Sequence, residues 1–378
     1  MTQAIQEQVT TVGHVLYMAK ELSATNWKVM FGDGRREREV NVPAGDVDGL
    51  LKEVAAAKVR FGLEEGVKVV SCYEAGRDGF WLHRYLVKHG VESLVVDSSS
   101  IEVNRRERRR KTDRLDAKKL LQLLIRYEHG EKKVWSVVRV PGEWEEDRRR
   151  LHRELDRLMK ERTGHTNRIK SLLVLHGIRV EVTRRFLMVL EGMRLRDGSP
   201  VPTRLAEELR REYARYAMVE EQIKQVEKKQ REEMKRPETD WEQKIAKLMR
   251  LYGLGYRSSS VYVGEFFGWR VFNNRRELAG AAGLQPTPYA SGASRREQGI
   301  SKAGNRRMRS MMMEIAWAWL RFQPASKLSR WFMERFALGG PRMRRIGIVA
   351  LARKLLIALW RYVEKGEIPE GARLRATA

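Results

Sequence analysis

Cysteine and long apolar runs are scarce in this chain of 378 residues. The single cysteine, Cys72, excludes an internal disulfide framework, and its apolar surroundings predict a buried, inert thiol. The longest apolar stretch, 346–360, is interrupted by Arg353 and Lys354 and is too short to span a membrane, so it predicts a core helix. The first eight residues lack the basic-then-apolar pattern of a signal peptide, and we therefore expect a cytoplasmic protein.

Acidic residues are also in short supply relative to basic ones. The chain has 75 Lys and Arg against 49 Asp and Glu, which gives a formal net charge of +26. Such an excess favours a polyanionic partner through counterion release, and nucleic acid is the leading candidate. A membrane surface is the rival polyanion, but no segment has the length or composition for it.

Residues 1–142 alternate between strand and helix patterns. The apolar runs and turns predict three strands, a helix, a strand, a helix, a strand and a final helix. The strands are expected at 15–18, 27–31, 37–42, 67–72 and 93–96, and the helices at 46–60, 80–89 and 112–127. This order predicts a mixed α/β sheet covered by helices, with Asp46 as the cap of the first helix.

The remaining chain predicts two helical domains, 143–238 and 239–378. In the first, apolar residues follow a heptad seam on two segments that the turn 197–202 would join into an antiparallel coiled-coil arm. Pairing with a second chain and packing within one chain are equally compatible with this seam. The seam residues are Leu151, Leu155, Leu158, Ile169 and Leu172, then Leu209, Tyr216, Val219, Ile223 and Val226. The last third is predicted to be mostly helical, with an irregular basic insert at 285–305.

The segment Lys111-Thr-Asp-Arg-Leu-Asp-Ala117 carries two carboxylates, Asp113 and Asp116, three residues apart. On a helix these positions share a face, so the two acids would repel each other unless a cation lay between them. A run of basic residues, which would attract an anion, precedes and surrounds them: Arg105, Arg106, Arg108, Arg109, Arg110, Lys111 and Arg114. This combination suits a divalent metal beside a nucleic-acid phosphate, whereas local pairing with Arg or Lys is the simpler alternative.

Two further acids follow predicted strands. Glu21 comes at the end of the first apolar strand. Glu74 follows the strand 67–72 beside a glycine turn, where it could face a ligand or be an ordinary solvated strand end. This arrangement resembles the ribonuclease H and RuvC-like nucleases. The resemblance implies that Glu21, Glu74, Asp113 and Asp116 converge on Mg²⁺ ions. Asp97, after the strand 93–96, is a possible extra ligand or an ordinary solvated strand end.

Longer motifs make the resemblance more specific. Cys-Tyr-Glu74-Ala-Gly, followed by the segment 111–117, resembles the DEDD transposases of the insertion sequence one-ten group. The C-terminal third resembles the transposase domain of that family in its motifs Gly283-Leu-Gln-Pro286, Ser291-Gly292 and Gly299-Ile-Ser-Lys-Ala-Gly-Asn305. The segment Leu251-Tyr-Gly-Leu-Gly255 resembles the helix turn before it, and its backbone amides could hold a phosphate.

The resemblance implies that a serine of the second domain attacks DNA and forms a covalent phosphoserine. The matching position is Ser291, although Tyr289, Ser294 and Ser301 are neighbouring hydroxyls that compete with it. We expect basic residues around it to stabilise the phosphate, namely Arg295, Arg296, Lys302, Arg306 and Arg309. Lys302 and Asn305, beside Gly304, could equally belong to a turn or contact a phosphate. The chain departs from the family at Glu21, where aspartate is usual. Glutamate is one methylene longer, so a metal would shift or Glu21 would bind it through water.

The sequence thus predicts an insertion-sequence transposase or site-specific recombinase that uses Mg²⁺. The family further implies dimers or tetramers on DNA, element ends and a target as substrates, and a structured non-coding guide RNA. The rivals are a RuvC-like structure-selective endonuclease that uses water, a pilin-type DNA invertase, and a non-catalytic nucleic-acid binding protein.

Overall fold

The structure, a computed structural model, describes residues 15–77, 79–101, 113–291 and 294–376. The chain divides into two compact units, Met1–Pro141 and Gly142–Ala378. The second unit contains both the predicted arm and the predicted C-terminal helices. Their separation into two domains remains a prediction.

The N-terminal unit contains a five-stranded mixed sheet in the order β3-β2-β1-β4-β5. Its strands are β1 (Val15–Leu22), β2 (Asn26–Gly32), β3 (Glu37–Pro43), β4 (Lys68–Glu74) and β5 (Glu92–Val96). The first three strands form an antiparallel meander, and β1, β4 and β5 run parallel. The predicted mixed α/β sheet is confirmed. Both β1 and β4 extend beyond their predicted ends, so Glu21 and Glu74 lie within strands rather than after them.

Three helices cover the two faces of this sheet: α1 (Val47–Phe61), α2 (Trp81–Lys88) and α3 (Asp113–Glu128). As predicted, Asp46 caps α1, because its carboxylate accepts a hydrogen bond of 2.8 Å from the Gly49 amide. Leu16 and Met18 of β1 pack in the apolar cluster that includes α1 and α2. Tyr17 and Ala19, on the other face, pack in the cluster that includes α3.

The C-terminal unit begins with α4 (Glu143–Arg148), α5 (Arg150–Val174), α6 (Phe186–Glu191) and α7 (Thr203–Glu233). Near its start α5 packs through Leu155 and Leu158 on Val219 and Ile223, late in α7. Near its end, α5 packs with the early residues of α7. The two long helices are therefore antiparallel neighbours within one chain.

The connection between α5 and α7 is longer than the turn predicted at 197–202. Helix α5 ends at Val174, and the chain then turns at Gly177, whose φ is +71°. The predicted turn exists within this connection, because the Leu195 amide bonds to the Ser199 carbonyl around Gly198. The sequence prediction placed the end of the first long helix too late. Helix α6 adds a further apolar segment between α5 and α7 that was not distinguished from them.

The rest of the unit consists of α8 (Asp240–Met249), α9 (Tyr256–Tyr262), α10 (Arg275–Ala281), α11 (Arg306–Phe322), α12 (Lys327–Phe336) and α13 (Pro341–Lys365). One π-helical turn, Val263–Phe267, continues α9. The apolar stretch predicted as a core helix lies within α13, where Leu351, Leu355 and Leu359 are fully buried. None of the helices in the described part of the chain has the length and apolar composition needed to cross a membrane.

The basic insert at 285–305 was predicted to be irregular, and this prediction was wrong. Residues Pro286–Ser291 (β6) and Ser294–Ile300 (β7) form an antiparallel hairpin. The pairing is interrupted between Pro286 and Pro288, since a proline nitrogen cannot donate a hydrogen bond. The same two prolines also concealed the first strand in the sequence.

Candidate functional site

Two of the predicted acids lie side by side in the sheet. The parallel register pairs Ala19 with Cys72 and Lys20 with Tyr73, which places Glu21 level with Glu74 on neighbouring strands. Because side chains alternate along a strand, Glu21 lies on the face of Ala19 and Glu74 on the face of Cys72. That is the face which α3 covers. Both carboxylates are half-buried.

Helix α3 brings its first turn to the same end of this face. Nζ of Lys68, the first residue of β4, is 3.5 Å from Oε2 of Glu128, the last residue of α3. The Cys72 thiol lies 3.8 Å from the carbonyl oxygen of Leu120, in the middle of the helix. The helix thus runs antiparallel to β4, and its first turn, with Asp113 and Asp116, lies towards Glu74. The structure therefore places Glu21 and Glu74 on one face of the sheet and the first turn of α3 towards the same end of that face.

These positions offer the oxygen donors that Mg²⁺ prefers. Among the described side chains, however, no group of three or more His, Cys, Asp or Glu residues is arranged to hold a metal. The Asp113 side chain lies outside the described set, as do all atoms of Arg105, Arg106, Arg109, Arg110 and Lys111. The metal site therefore stays a prediction, supported by the shared face of the acids.

Two ionisable side chains, Cys72 and Lys20, are fully buried on the strands that carry Glu74 and Glu21. Burial raises the pKa of the Cys72 thiol to about 12, in agreement with the inert thiol that the sequence predicted. Lys20, which sequence analysis did not single out, lies on the opposite face of β1. Its ammonium has no hydrogen-bond partner among the described residues, and burial lowers its pKa to about 7. Lys20 Nζ lies 5.6 Å from the centroid of the Tyr73 ring.

Ser291 is the last residue of β6 and pairs with Ser294 at the tip of the hairpin. Farther from the tip, Ala290 pairs with Arg295, and Tyr289 then pairs with Arg296. Only the backbone of these residues is described.

Two glycines of the predicted motifs fix the base of this hairpin. The φ angles of Gly283 and Gly304 are +66° and +94°, a region that favours glycine. A Cβ atom on Gly283 would clash with the Ala303 carbonyl, and one on Gly304 with the carbonyl of Ala281. The motifs 283–286 and 299–305 are therefore close because their backbones touch directly. The Ser301 and Asn305 amides bond to carbonyls of Gln285 and Ala281, at 2.9 and 2.7 Å.

The predicted phosphate-binding residues near the hairpin differ in their surroundings. Lys302 and Arg306 are exposed, and Lys302 has the unusual φ of +57°. Arg309 donates to the Ala282 carbonyl at 3.2 Å. Asn305 caps α11 by accepting from the Met308 amide at 2.9 Å, and its side-chain nitrogen donates to Glu265 at 2.7 Å. Both polar atoms of the Asn305 side chain are thus engaged within the protein.

Glu265, in the π-helical turn, is the centre of a buried network that sequence analysis missed. Its carboxylate is 1% exposed and faces five donor atoms. His152 Nε2 and Arg307 Nη1 approach Oε1 at 3.1 and 3.3 Å, Arg153 bonds to both oxygens at 2.9 and 3.0 Å, and Asn305 donates to Oε2. Arg307 also donates to Asp156 at 2.7 Å. We call these six residues the Glu265 network; it joins α5, the π-helical turn and the start of α11.

The charges of this network depend on one another. Burial alone would raise the pKa of Glu265, but hydrogen bonds from His152 and Arg153 outweigh it and hold the pKa well below its usual range. Burial lowers the pKa of His152, and this effect exceeds the opposing influence of Glu265. The network therefore holds an ionised carboxylate and a neutral imidazole at neutral pH. The sequence signal was a lone carboxylate in the apolar run 261–269.

Comparisons with known proteins point to one family. Residues 245–329, which include the hairpin and Glu265, match the model of the Transposase IS116/IS110/IS902 family. The chain is 41% identical over 373 residues to "Putative transposase y4rJ" of Sinorhizobium fredii, a match that covers 94% of each chain. It is 26% identical over 224 residues to the Yersinia enterocolitica "Transposase for insertion sequence element IS1328", covering 58% of this chain and 63% of that one. By its likeness over nearly its whole length, the chain belongs to the IS116/IS110/IS902 family of transposases.

Proposed function

We propose that this transposase cuts and rejoins DNA strands of an insertion sequence through a covalent bond to Ser291. The observation that carries the proposal is that the chain offers both an acidic set and a candidate serine nucleophile, the two parts that strand transfer at phosphorus needs. Glu21 and Glu74 share a sheet face towards which the first turn of α3 points, and Ser291 ends the first strand of a hairpin in the region that the family model matches.

The acidic positions support a role for Mg²⁺. The mixed sheet order, with an antiparallel meander followed by two parallel strands, is the one expected of a RuvC-like domain, and the acids lie on its central strands and on α3. Carboxylates from neighbouring elements are the ligands that Mg²⁺ requires. When bound, the ion would supply positive charge that stabilises the scissile phosphate and favours loss of a hydroxyl proton.

Ser291 would form the intermediate. Its hydroxyl oxygen attacks phosphorus, the bond from phosphorus to one DNA oxygen breaks, and that oxygen receives a proton as the strand leaves. The phosphoserine ester conserves the bond energy, so a second DNA hydroxyl can displace the serine and join the strand without another energy source. Lys302 and Arg306, both exposed beside the hairpin, would stabilise negative charge on the phosphate.

We further infer a guide RNA and an oligomer. The net charge of +26 is compatible with binding RNA as well as DNA, and the family resemblance implies a structured non-coding RNA that pairs with donor and target. The same resemblance implies that subunits combine their acidic and serine domains into one site.

Mutation of the acid set tests the metal part of the proposal. Asp116→Asn should reduce Mg²⁺-dependent cutting of end-labelled element-junction DNA by at least about 100-fold, since it removes a charged ligand. DNA binding, measured separately, should stay within about twofold. Asp147→Asn is the matched control, because Asp147 is largely exposed in α4. Cutting by Asp116→Asn at the rate of Asp147→Asn would contradict the metal site.

A further inference from the structure

An open cavity of about 460 Å³ lies between α10, α12 and α13. It is separate in sequence from the acids and from the hairpin tip. Its volume falls in the range of ligand-binding pockets. The residues that line it are Arg275, Arg276, Trp331, Ala350, Arg353, Lys354 and Ile357.

Positive charge dominates the rim of this cavity. Four of its seven lining residues are Arg or Lys, and none is acidic. None of these four cationic groups forms an ion pair with a residue that the structure describes, although ion pairs are common elsewhere in the unit. The nearby carboxylate of Glu277 is engaged by the backbone amide of Asn273 at 3.0 Å. Four uncompensated cations around one cavity repel one another and favour a bound anion.

The floor of the cavity is apolar and aromatic. Trp331 is half-buried, and its ring packs edge-on against Phe336 with the centroids 5.4 Å apart. The Lys354 ammonium lies 4.6 Å from the Trp331 ring centroid. Ile357 and Ala350 complete the floor. A tryptophan fixed in this way can accept a flat ring against it without losing side-chain freedom.

We propose that this cavity binds one unstacked nucleotide of a single-stranded nucleic acid. The base lies against Trp331 and Ile357, and the flanking phosphates contact Arg275, Arg276 and Arg353. This inference rests on the proposed function only in that the partner is nucleic acid. An aromatic floor with a basic rim is the usual platform for single strands, because every base has a face to stack and every nucleotide has a phosphate. A duplex keeps its bases stacked on each other and cannot use the floor.

Equilibrium binding to fluorescent 12-mers tests the proposal without any strand cutting. The Ser291→Ala protein, with and without the added change Trp331→Leu, is titrated with single-stranded DNA, single-stranded RNA and duplex DNA. Trp331→Leu should weaken binding of a single strand about tenfold and change duplex binding less than about twofold. Weaker binding of single-stranded DNA, of single-stranded RNA or of both supports the proposed nucleotide site and identifies which strand the cavity holds.

Charge variants and controls complete the test. Arg276→Gln, at an exposed side chain, should weaken single-strand binding and reduce the slope of log K against log salt concentration by about 1. Trp317→Ala and Arg342→Gln are the controls, since both residues are exposed and lie outside the cavity. Unchanged single-strand binding by folded Trp331→Leu and Arg276→Gln proteins would overturn the proposal. Equal losses for single strand and duplex would also overturn it.

Discussion

The side-chain nitrogen of Asn305 donates a hydrogen bond of 2.7 Å to Glu265 Oε2. This bond ties the cap of α11, which directly follows the hairpin, to the π-helical turn after α9. Through His152 and Arg153 the same carboxylate holds α5. The base of the serine hairpin and the first long helix are thus connected through a single buried side chain. Single π-helical turns inside α-helices often occur at functional sites.

Loss of the Glu265 charge should destabilise the C-terminal unit. Glu265→Gln leaves Arg153 and Arg307 without their shared carboxylate, which should cost about 3 kcal/mol of unfolding free energy. Urea denaturation followed by tryptophan fluorescence measures this, because seven of the ten tryptophans lie in the unit 142–378. Glu314→Gln, which breaks an exposed ion pair with Arg257, should cost less than about 1 kcal/mol. Similar losses in both variants would contradict the central position of Glu265.

The same network predicts that the unit loses stability in acid. The pKa of His152 is lower in the folded than in the unfolded chain. As pH falls through about 6.5, the unfolded chain therefore takes up a proton at His152 before the folded chain does, which destabilises the fold. Glu265 also has a lowered folded pKa, so its stabilisation is present above about 4.5 and is lost as pH falls below that value. Both effects act in the same direction. The thermal midpoint should therefore fall steadily from pH 7 to pH 4.

Glu265→Gln serves as the comparison for this pH series. Its midpoint should fall less steeply below about pH 4.5, because the glutamine does not titrate. A wild-type midpoint that is constant or rises between pH 7 and pH 4 would show that the network does not control stability in acid.

Gly304→Ala should loosen the hairpin base. The new methyl group would clash with the Ala281 carbonyl, and the φ of +94° is unfavourable for alanine. We expect a loss of about 1–3 kcal/mol in unfolding free energy and a matching loss of strand cutting. Gly192→Ala is the control, since Gly192 has a negative φ of −85° and no atom within 4 Å of an added Cβ. Full activity of Gly304→Ala would mean that the hairpin needs no rigid base.

Glu21→Asp should keep or increase strand cutting, because the resemblance to DEDD transposases implies an aspartate at this position. The shorter side chain on β1 would draw back towards the backbone, and Glu74 on the neighbouring strand would remain in place. The rate of junction cutting at several Mg²⁺ concentrations measures the effect. A folded but inactive Glu21→Asp protein would argue that this chain arranges its acids differently from the family.

The sequence predicted the sheet well because its signals are local. The capping residue Asp46 marks the start of α1, and the apolar runs of β1 and β4 mark two strands, each from its own short segment. The parallel pairing of β1 and β4 then sets their register. The motifs around Gly283 and Gly304 were also visible, but their contact was not. It depends on a close approach of two backbones that no single segment specifies.

Long-range pairing explains what sequence analysis missed. The partners of Glu265 lie 112 residues before it and 40 residues after it, on helices whose contact follows from the whole fold. Asn305 was interpreted either as part of a turn beside Gly304 or as a phosphate contact. In the structure its side chain caps α11 and donates to Glu265, two bonds whose partners lie outside the motif or across the fold. A buried carboxylate in an apolar run is a signal that could have pointed to such a network.

The most direct test of the account is a denaturing gel of end-labelled junction DNA incubated with protein, Mg²⁺ and RNA transcribed from the element's flanking region. Wild-type protein and Ser294→Ala should both give a slow-migrating, protease-sensitive adduct, whereas Ser291→Ala should give none. Mass spectrometry should locate the phosphate of the adduct on Ser291. Cutting by the Ser291→Ala protein without an adduct would contradict the account, because water rather than serine would then be the nucleophile.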